Sequence, residues 1–463
     1  MTGMTMQRRN MLSLMTGATA SAAFAGPAWA AAMGRCQSVL ATPEQAIAEK
    51  AFFEVLRDPR LPALQARLKA ELAKGSIGRT AAGAATIDRA VAAWTHSLLF
   101  HELARVRSRP AVIWGTDDTP RRWMGYELPG VGSAGDNPDA IYRTAALDSS
   151  KSYELTGRID RENPAAQLVI QVDRADATNP ASMFDMNTKR PSIASATLGI
   201  FTDKDLQLGP DGSFRITVGG EADGPYHVPM KDGVVGIGLR DMLSDWRQRP
   251  AEVQVRERGV PVSDVPEQLD IKALADALVA DLPGYIGFWG GFPDVWFGGL
   301  KPNTISAPRP RHKGWGYVAG MHFLLEPGHA AVIRTSREDA PYTGFQMCDP
   351  WMINGDVRAY QLCLNASQVT PDSDGATTYV LCPEDPGVAN WIDTEGLNQG
   401  LCVIRWQGTT EATDAAKLIQ DFKVVPLSEV AGMTTLARVT PHERKVTLAR
   451  RAIDYASRTR GPC

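Results

Sequence analysis

The densest group of residues able to do chemistry is the segment 385–394, which holds acids, an amide and a tryptophan. Asn390 can hydrogen-bond a ligand, Trp391 can stack on it, and Asp393 can act as a general acid or base. The alternative role is structural, because Asp385 and Asn390 are residue types that satisfy loop amides through Asx turns. We favour the structural role for Asp385, and both interpretations stay open for the other three residues.

Further polar and aromatic residues stand at the ends of other predicted strands. Asp349 and Trp351 follow one strand, Asn365 follows another, and Arg405 lies in a third. Antiparallel neighbours bring such ends together, so two acids there can act on a glycosidic or ester bond, whereas an Asp393–Arg405 pair would be structural. The predicted site has acid–base residues and a larger set of substrate-binding residues. The acid–base residues are Asp393 and Asp349, and the binding residues are Asn390, Trp391, Trp351, Asn365, Arg405 and Trp289.

Trp289 belongs to a segment, 285–299, in which six aromatic residues alternate with glycines. We predict that it forms no stable regular helix, because glycine leaves the backbone free while the rings supply contact surface. Core or domain packing is the favoured role. A lid or platform for sugar or aromatic ligands is the alternative, and an interfacial membrane contact is less favoured because no basic face accompanies it.

Metal and cofactor motifs are few. His96 and His101 lie five apart on a predicted helix, which separates them around its axis, and the segment from His322 to His329 lacks an H-x-H pair. The sequence has no G-x-S-x-G elbow, no P-loop and no dinucleotide fingerprint at the start of a helix. We therefore predict no cofactor, and a bound metal stays open without a ligand set to support it.

Cysteine spacing adds little to this. Four of the six cysteines fall between 348 and 402, with no C-x-x-C pair. They are Cys348, Cys363, Cys382 and Cys402. Disulfides and buried free thiols are both consistent with this spacing in an oxidising compartment.

The N-terminus predicts export. Arg8 and Arg9 precede a mildly apolar stretch that ends at Ala28-Trp29-Ala30, a signal-peptidase site. The paired arginines and low hydrophobicity favour the twin-arginine (Tat) translocase over the Sec route. We expect a mature protein that starts at residue 31 and is periplasmic or secreted.

Composition limits the partners of this mature protein. A net charge of −3 argues against a nucleic-acid partner. Stable membrane insertion is not expected, since no later segment is apolar enough. We expect a small-molecule or oligosaccharide ligand.

Hydrophobic periodicity divides the chain into blocks. Residues 31–110 show helical spacing, with capping boxes predicted at Thr42–Gln45 here and at Thr440–Glu443 near the C-terminus. From about residue 141 apolar residues alternate, as in 153–159, 168–172 and 214–218, which predicts strands. We predict a mainly β fold of antiparallel jelly-roll-like sandwiches: a helical cap (31–110), a first sandwich half (111–265), a helical and aromatic insertion (266–313) and a second half with a terminal helix (314–463).

Several short motifs occur in order across the second and fourth blocks. They are Gly135-Asp136-Asn137-Pro138-Asp139-Ala140-Ile141-Tyr142, Tyr153 to Gly157, Asp245-Trp246, Gly344-Phe345-Gln346 to Trp351, Leu364-Asn365, Asp374-Gly375, Asp385-Pro386-Gly387 with Asn390-Trp391, and Arg405-Trp406. In these motifs the chain, from about 135 to 450, resembles a bacterial group known as domain of unknown function 1214. The resemblance implies antiparallel jelly-roll-like sandwiches and transfers no catalytic residue, because the group has no defined activity.

Three functions are consistent with these features. The first is an exported enzyme of hydrolase or lyase type that does cofactor-independent acid–base chemistry on a polar or aromatic small molecule or an oligosaccharide. The second is a binding module for carbohydrate-like ligands, and the third is a structural or assembly protein.

Overall fold

The computed structural model of the chain describes residues 38–192, 195–263, 265–297, 300–311, 315–433 and 436–459. The predicted leader, residues 1–30, lies outside the described residues, as do Cys36 and Cys463.

Four helices form one layer around a shared apolar core that includes Phe52, Trp94 and Leu278. They are α1 (Pro43–Val55), α2 (Leu61–Leu72), α3 (Ala81–Arg105) and α4 (Ile271–Phe297). At the start of α1 the capping box is only half formed. The Thr42 side chain accepts from the Gln45 amide, but the buried Gln45 side chain donates to, and accepts from, the backbone of Trp114 instead.

Helix α4 corrects the prediction for the aromatic and glycine-rich segment. The helix continues through Pro283 and Pro293 to residue 297, so the expectation of no regular helix from residue 285 onward was wrong. Tertiary packing outweighs intrinsic propensity here: Tyr285 and Phe288 are buried, and Gly290 lets Leu72 of α2 approach so closely that an added Cβ would lie 2.3 Å from Leu72 Cδ2.

The first β-sandwich is built from a five-stranded and a four-stranded sheet. In spatial order the larger sheet contains β1 (Ile113–Trp114), β4 (Ala140–Asp148), β12 (Val234–Met242), β6 (Gln167–Arg174) and β9 (Ala196–Thr202). The smaller contains β11 (His227–Val228), β10 (Ser213–Val218), β5 (Tyr153–Arg158) and β13 (Glu252–Glu257). Two small ribbons complete this half, β2 (Arg121–Trp123) with β3 (Tyr126–Leu128), and β7 (Phe184–Asp185) with β8 (Arg190–Pro191). Leu155, Ile170 and Ile237 fill the core between the two large sheets.

The second sandwich has the same plan. Its larger sheet contains β14 (Thr304–Ile305), β16 (Gly316–Leu324), β22 (Gln399–Gln407), β18 (Tyr342–Cys348) and β19 (Cys363–Asn365), with β15 (Arg309–Pro310) also paired to β16. The smaller contains β21 (Trp391–Asp393), β20 (Thr377–Cys382), β17 (His329–Thr335) and β23 (Ile419–Pro426). Three helices follow: α5 (Ala415–Leu418), α6 (Leu427–Met433) and α7 (Pro441–Ser457).

Most sequence expectations for this half hold. The Thr440–Glu443 capping box is present at the start of α7. Strand β19 begins only at Cys363, and the preceding segment turns at Arg358, where Asp356 accepts from the Arg358 amide and guanidinium.

The predicted fold class is confirmed: the protein is mainly β, with antiparallel sandwiches and helical additions. Only the short pairs β10–β11 and β20–β21 are parallel among the described strands. Within the described ranges, no helix combines the length and the apolarity needed to cross a bilayer.

Candidate functional site

A cavity of about 200 Å³ opens where the larger sheets of the two sandwiches face each other, beneath the end of α4. Three arginines and four aromatic residues dominate its wall. The lining residues are Ala134, Gly135, Asp136, Tyr142, Arg240, Met242, Trp289, Phe292, Trp296, Arg311, Val318, Met352, Val403, Arg405 and Gln407. We call this cavity the arginine pocket.

Strand alternation places two of these arginines. On β12 the side chains of Ile237 and Leu239 point into the first sandwich core, so Arg240 points to the opposite face. On β22, Cys402 and Ile404 face the second core, and Arg405 again points away. The third arginine, Arg311, follows β15.

The three guanidiniums are not paired with acids. Arg405 donates to Oε1 of Gln346 and to the Gly135 carbonyl, the latter at 2.6 Å. Arg240 donates to Gln171 Oε1 at 3.2 Å. None of the three has a carboxylate within ion-pair distance among the described residues, although many other arginines of the chain do.

Arg311 is the least satisfied of the three. No side-chain hydrogen bond ties its guanidinium to a described residue, and the group lies over the Trp315 ring, 4.5 Å from the centroid. Burial, together with the positive charges of Arg240 and Arg405, lowers the pKa of Arg311 to about 9. The side chain therefore stays charged at neutral pH, at an electrostatic cost that a bound anion would relieve.

Asp136 supplies the carboxyl group among the described residues that line the pocket. Its Oδ2 accepts from the amide and hydroxyl of Ser133, whereas Oδ1 has no donor among the described residues. Burial raises the pKa of Asp136, and the bonds from Ser133 and the charges of Arg405 and Arg240 oppose that rise. A carboxyl group with a raised pKa holds a proton more readily than an ordinary aspartate does.

Tyr142 lies beside this acid, directly across the strand pair from Arg240. Its hydroxyl accepts from the Asn137 amide at 3.0 Å. The phenolic proton has no acceptor among the described side chains and backbone groups, so Tyr142 can donate to a ligand.

Helix α4 supplies the aromatic wall. The rings of Trp289 and Phe292 lie 5.1 Å apart, and those of Phe292 and Trp296 lie 5.6 Å apart. Trp296 is about half exposed at 49 %, which puts its ring at the outer edge. The pocket thus combines positive charge with flat apolar surface.

The predicted acid Asp349 has a structural environment. Its Oδ1 accepts from the amides of Trp351 and Ile353, and its Oδ2 accepts from Arg89 at 3.0 Å. It is fully buried at 0 % exposure. The ring of Trp351 packs edge-on against Trp94 of α3, in the core of the helical layer. Neither Asp349 nor Trp351 lines the arginine pocket.

The stretches near 350 and 390 do come together, but around a helix residue that the sequence interpretation missed. Arg89 of α3 donates to Asp349 and, at 2.6 Å, to Glu395. Asp393 lies beside this bridge and accepts from the Glu395 amide. Burial raises the pKa of Asp393 to about 6. Arg89 thus occupies the space between these strand ends, where a substrate was expected to bind.

The remaining predicted binding residues hold loops in place. Asn390 adopts a φ of 54° and bonds the backbone of Thr370 and Thr378, which lie 20 and 12 positions away and so form no Asx turn. The indole of Trp391 donates to the Cys382 carbonyl. Asn365 is buried and donates to Asp139. These contacts engage the polar groups of all three residues inside the protein.

Two predicted residues, Arg405 and Trp289, do line the arginine pocket. The proposed Asp393–Arg405 pair does not form, since Arg405 bonds Gln346 and Gly135. Sequence reasoning missed Arg240, Arg311 and Asp136. A signal existed for Asp136, which belongs to the motif 135–142.

Other candidate sites are weaker. No group of three or more metal-ligating side chains occurs among the described residues, and His96 is bonded to the Gly130 carbonyl. Cys348, Cys363, Cys382 and Cys402 are buried free thiols. A second cavity, of about 280 Å³ in the first sandwich, has among its acids Asp160, which bonds Arg249, and Asp241, which bonds Arg143.

Comparison with known proteins supports the fold. No family profile matches the chain, and no curated protein matches it either. An uncharacterized protein from Burkholderia cenocepacia shares the fold with a TM-score of 0.62 at 19% identity, over 84% of this chain and 100% of its own. The VPA0106 protein from Vibrio parahaemolyticus aligns with a TM-score of 0.37 at 10% identity, over 63% of this chain and 89% of its own, and is too distant to support an argument.

Proposed function

We propose that the protein binds a small organic anion in the arginine pocket. The observation that carries this proposal is the convergence of Arg240, Arg311 and Arg405 on one cavity without an ion-paired carboxylate among the described residues. Buried charges are ordinarily paired, and planar guanidiniums suit carboxylate, phosphate and sulfate groups. The aromatic wall on α4 suits a ligand with a flat or apolar body.

Acid–base catalysis is the second candidate. Asp136 and Tyr142 line the same pocket, and the raised pKa of Asp136 suits it to proton transfer. In this version of the exported hydrolase or lyase, Asp136 and Tyr142 take the acid–base roles instead of Asp349 and Asp393. Incubation of the mature protein with acidic oligosaccharides and esters, followed by mass spectrometry, tests it, and turnover that persists in Asp136→Asn would rule Asp136 out.

The proposal also covers the cellular location of the protein and the machinery that exports it. The twin-arginine leader directs the chain to the Tat translocase, and the mature protein meets its ligand in the periplasm or outside the cell. The chain's ordered motifs support membership of the domain of unknown function 1214 group.

Calorimetry with matched pairs of small molecules tests anion binding. Benzoate and glucuronate are compared with their neutral counterparts, benzamide and glucose, at low salt. We expect the acids to bind at least tenfold more tightly, because only they neutralise the pocket. Equal binding of each acid and its neutral counterpart would contradict the proposal.

Arg311→Gln identifies the site. Because no side-chain hydrogen bond or ion pair ties Arg311 to a described residue, its loss should weaken acid binding at least tenfold without unfolding the protein. Removing one of three like charges should also leave the free protein as stable as before or more stable. The control is Arg122→Gln, an exposed arginine paired with Glu127, which should bind as the unchanged protein does.

A further inference from the structure

The arginine pocket also offers hydrogen-bond acceptors. Gln407, at the end of β22, is 2% exposed and lines the cavity. Its Oε1 is buried and has no donor among the described residues. A buried acceptor left without a donor costs about 1–3 kcal/mol, so a ligand that supplies a donor gains accordingly.

A second acceptor lies in the loop that precedes β4. Both hydrogen bonds from Ser133 go to Oδ2 of Asp136. Oδ1 of Asp136 has no donor within the described ranges. No pocket arginine donates to either acceptor. Arg405 donates to Gln346 and Gly135, and Arg240 donates to Gln171. An anion alone would also leave both acceptors unmatched, because carboxylate, phosphate and sulfate ions are acceptors themselves.

The size of the cavity limits the ligand further. A volume of about 200 Å³ exceeds the roughly 150 Å³ cavity that holds benzene. It is below the roughly 300–1,000 Å³ of drug-sized sites. The pocket therefore holds about one six-membered ring with its substituents, with one ring face against the α4 aromatics.

We infer that the ligand is a hydroxy acid of single-ring size, whose carboxylate meets the arginines and whose hydroxyl groups donate to Gln407 and Asp136. This inference rests on the proposed function and specifies its ligand class. Phenolic acids and sugar acids share this chemistry. Both present a ring face to Trp289 and Phe292, an anion and at least one hydroxyl donor.

The experiment compares plain acids with hydroxy acids of the same ring size. Benzoate is titrated against the three monohydroxybenzoates, and cyclohexanecarboxylate against glucuronate and galacturonate, with inorganic phosphate alongside. We expect the best hydroxy acid to bind at least tenfold more tightly than its matched plain acid. A higher affinity for the hydroxybenzoates identifies the phenolic source, and a higher affinity for the uronates identifies the sugar source.

The variant Gln407→Met separates the hydroxyl contact from anion binding. It should remove most of the hydroxyl advantage, so that the ratio of the affinities for the best hydroxy acid and for benzoate falls towards one. If this variant fails to fold, the comparison of plain and hydroxy acids in the unchanged protein still decides.

Three outcomes overturn the inference. Plain acids that bind as tightly as every hydroxy acid would refute it and leave the proposed function standing, as would a preference for phosphate over all the ring acids. The absence of binding by any acid would refute both proposals.

Discussion

Asp349 and Asp393 are both acids near strand ends, yet their surroundings differ. Asp349 is enclosed and ion-paired with Arg89, which offsets part of the cost of burying its charge. Asp393 accepts one amide from Glu395 and has no ion pair among the described residues. The first acid should therefore matter for stability, and the second should titrate at an unusual pH.

Replacement of Asp349 by Ala should destabilise the protein strongly. Arg89 would lose one of its two carboxylate partners, and the amides of Trp351 and Ile353 would lose their acceptor. Breaking a buried ion pair in this way costs about 3–5 kcal/mol. Urea unfolding followed by tryptophan fluorescence measures the loss.

The matched control for Asp349→Ala is Asp276→Ala, which removes an exposed carboxylate paired with Arg60 and Lys272 and should cost far less, because exposed ion pairs contribute little to stability. A stable Asp349→Ala protein that lost only ligand binding would support the catalytic role instead.

Replacement of Asp393 by Asn should stabilise the protein at neutral pH. The folded-state pKa of about 6 exceeds the ordinary aspartate pKa of 3.8, so the folded state holds this proton more tightly than the unfolded state does. The resulting stability is present at low pH and is lost as the pH rises from about 4 through about 6.

Asn cannot ionise and keeps the acceptor for the Glu395 amide, so Asp393→Asn should gain about 2–3 kcal/mol at pH 7.5 and little at pH 4. Unfolding free energies measured at both pH values check this prediction. An equal effect at the two pH values would mean that ionisation of Asp393 is not responsible.

At the scale of elements, α4 shows how a neighbour can impose a helix on an unfavourable sequence. Its glycines have different surroundings: a Cβ added at Gly287 would meet open space, whereas one added at Gly290 would meet Leu72 of α2. Gly287 therefore only lowers the helix propensity of α4, whereas Gly290 also permits α2 and α4 to pack closely.

The pair Gly287→Ala and Gly290→Ala tests this difference. Alanine at 287 should stabilise the protein by about 0.5–1 kcal/mol through helix propensity. Alanine at 290 gains the same propensity but must displace Leu72, so its net effect should be lower by about 1 kcal/mol or more. Chemical unfolding of both variants measures the difference, and equal stabilisation would show that Leu72 does not depend on the glycine.

At the scale of the whole molecule, the arginine pocket depends on the facing of two sandwiches. Arg240 and Tyr142 belong to one sandwich and Arg405 to the other, while α4 closes the gap. A ligand that contacts all three parts ties them together, so binding should raise the unfolding temperature.

Export also concerns the whole chain. Replacement of Arg8 and Arg9 by Lys should leave an uncleaved precursor in the cytoplasm if, as we propose, the twin arginines address the chain to the Tat translocase. Cell fractionation and N-terminal sequencing check this, with the unchanged leader expected to give a mature protein that starts at residue 31. Arg122→Lys is the control, and normal export of the double variant would exclude the Tat route.

Structural features that depend on neighbouring residues along the chain could be predicted from the sequence. Alternation with period two identified β5, β6 and β10, and the Thr440–Glu443 box marked the start of α7. These signals are local, because side-chain direction and capping involve residues a few positions apart.

The position of the candidate site could be recognised only in the folded structure. Arg240, Arg311 and Arg405 are 165 positions apart from first to last, and no local pattern relates them. The facing of the two sheets brings them to one cavity, whereas Arg89 from a distant helix occupies Asp349 and Glu395. Charge pairing and burial are long-range properties, so residue type and spacing cannot separate a structural acid from a functional one.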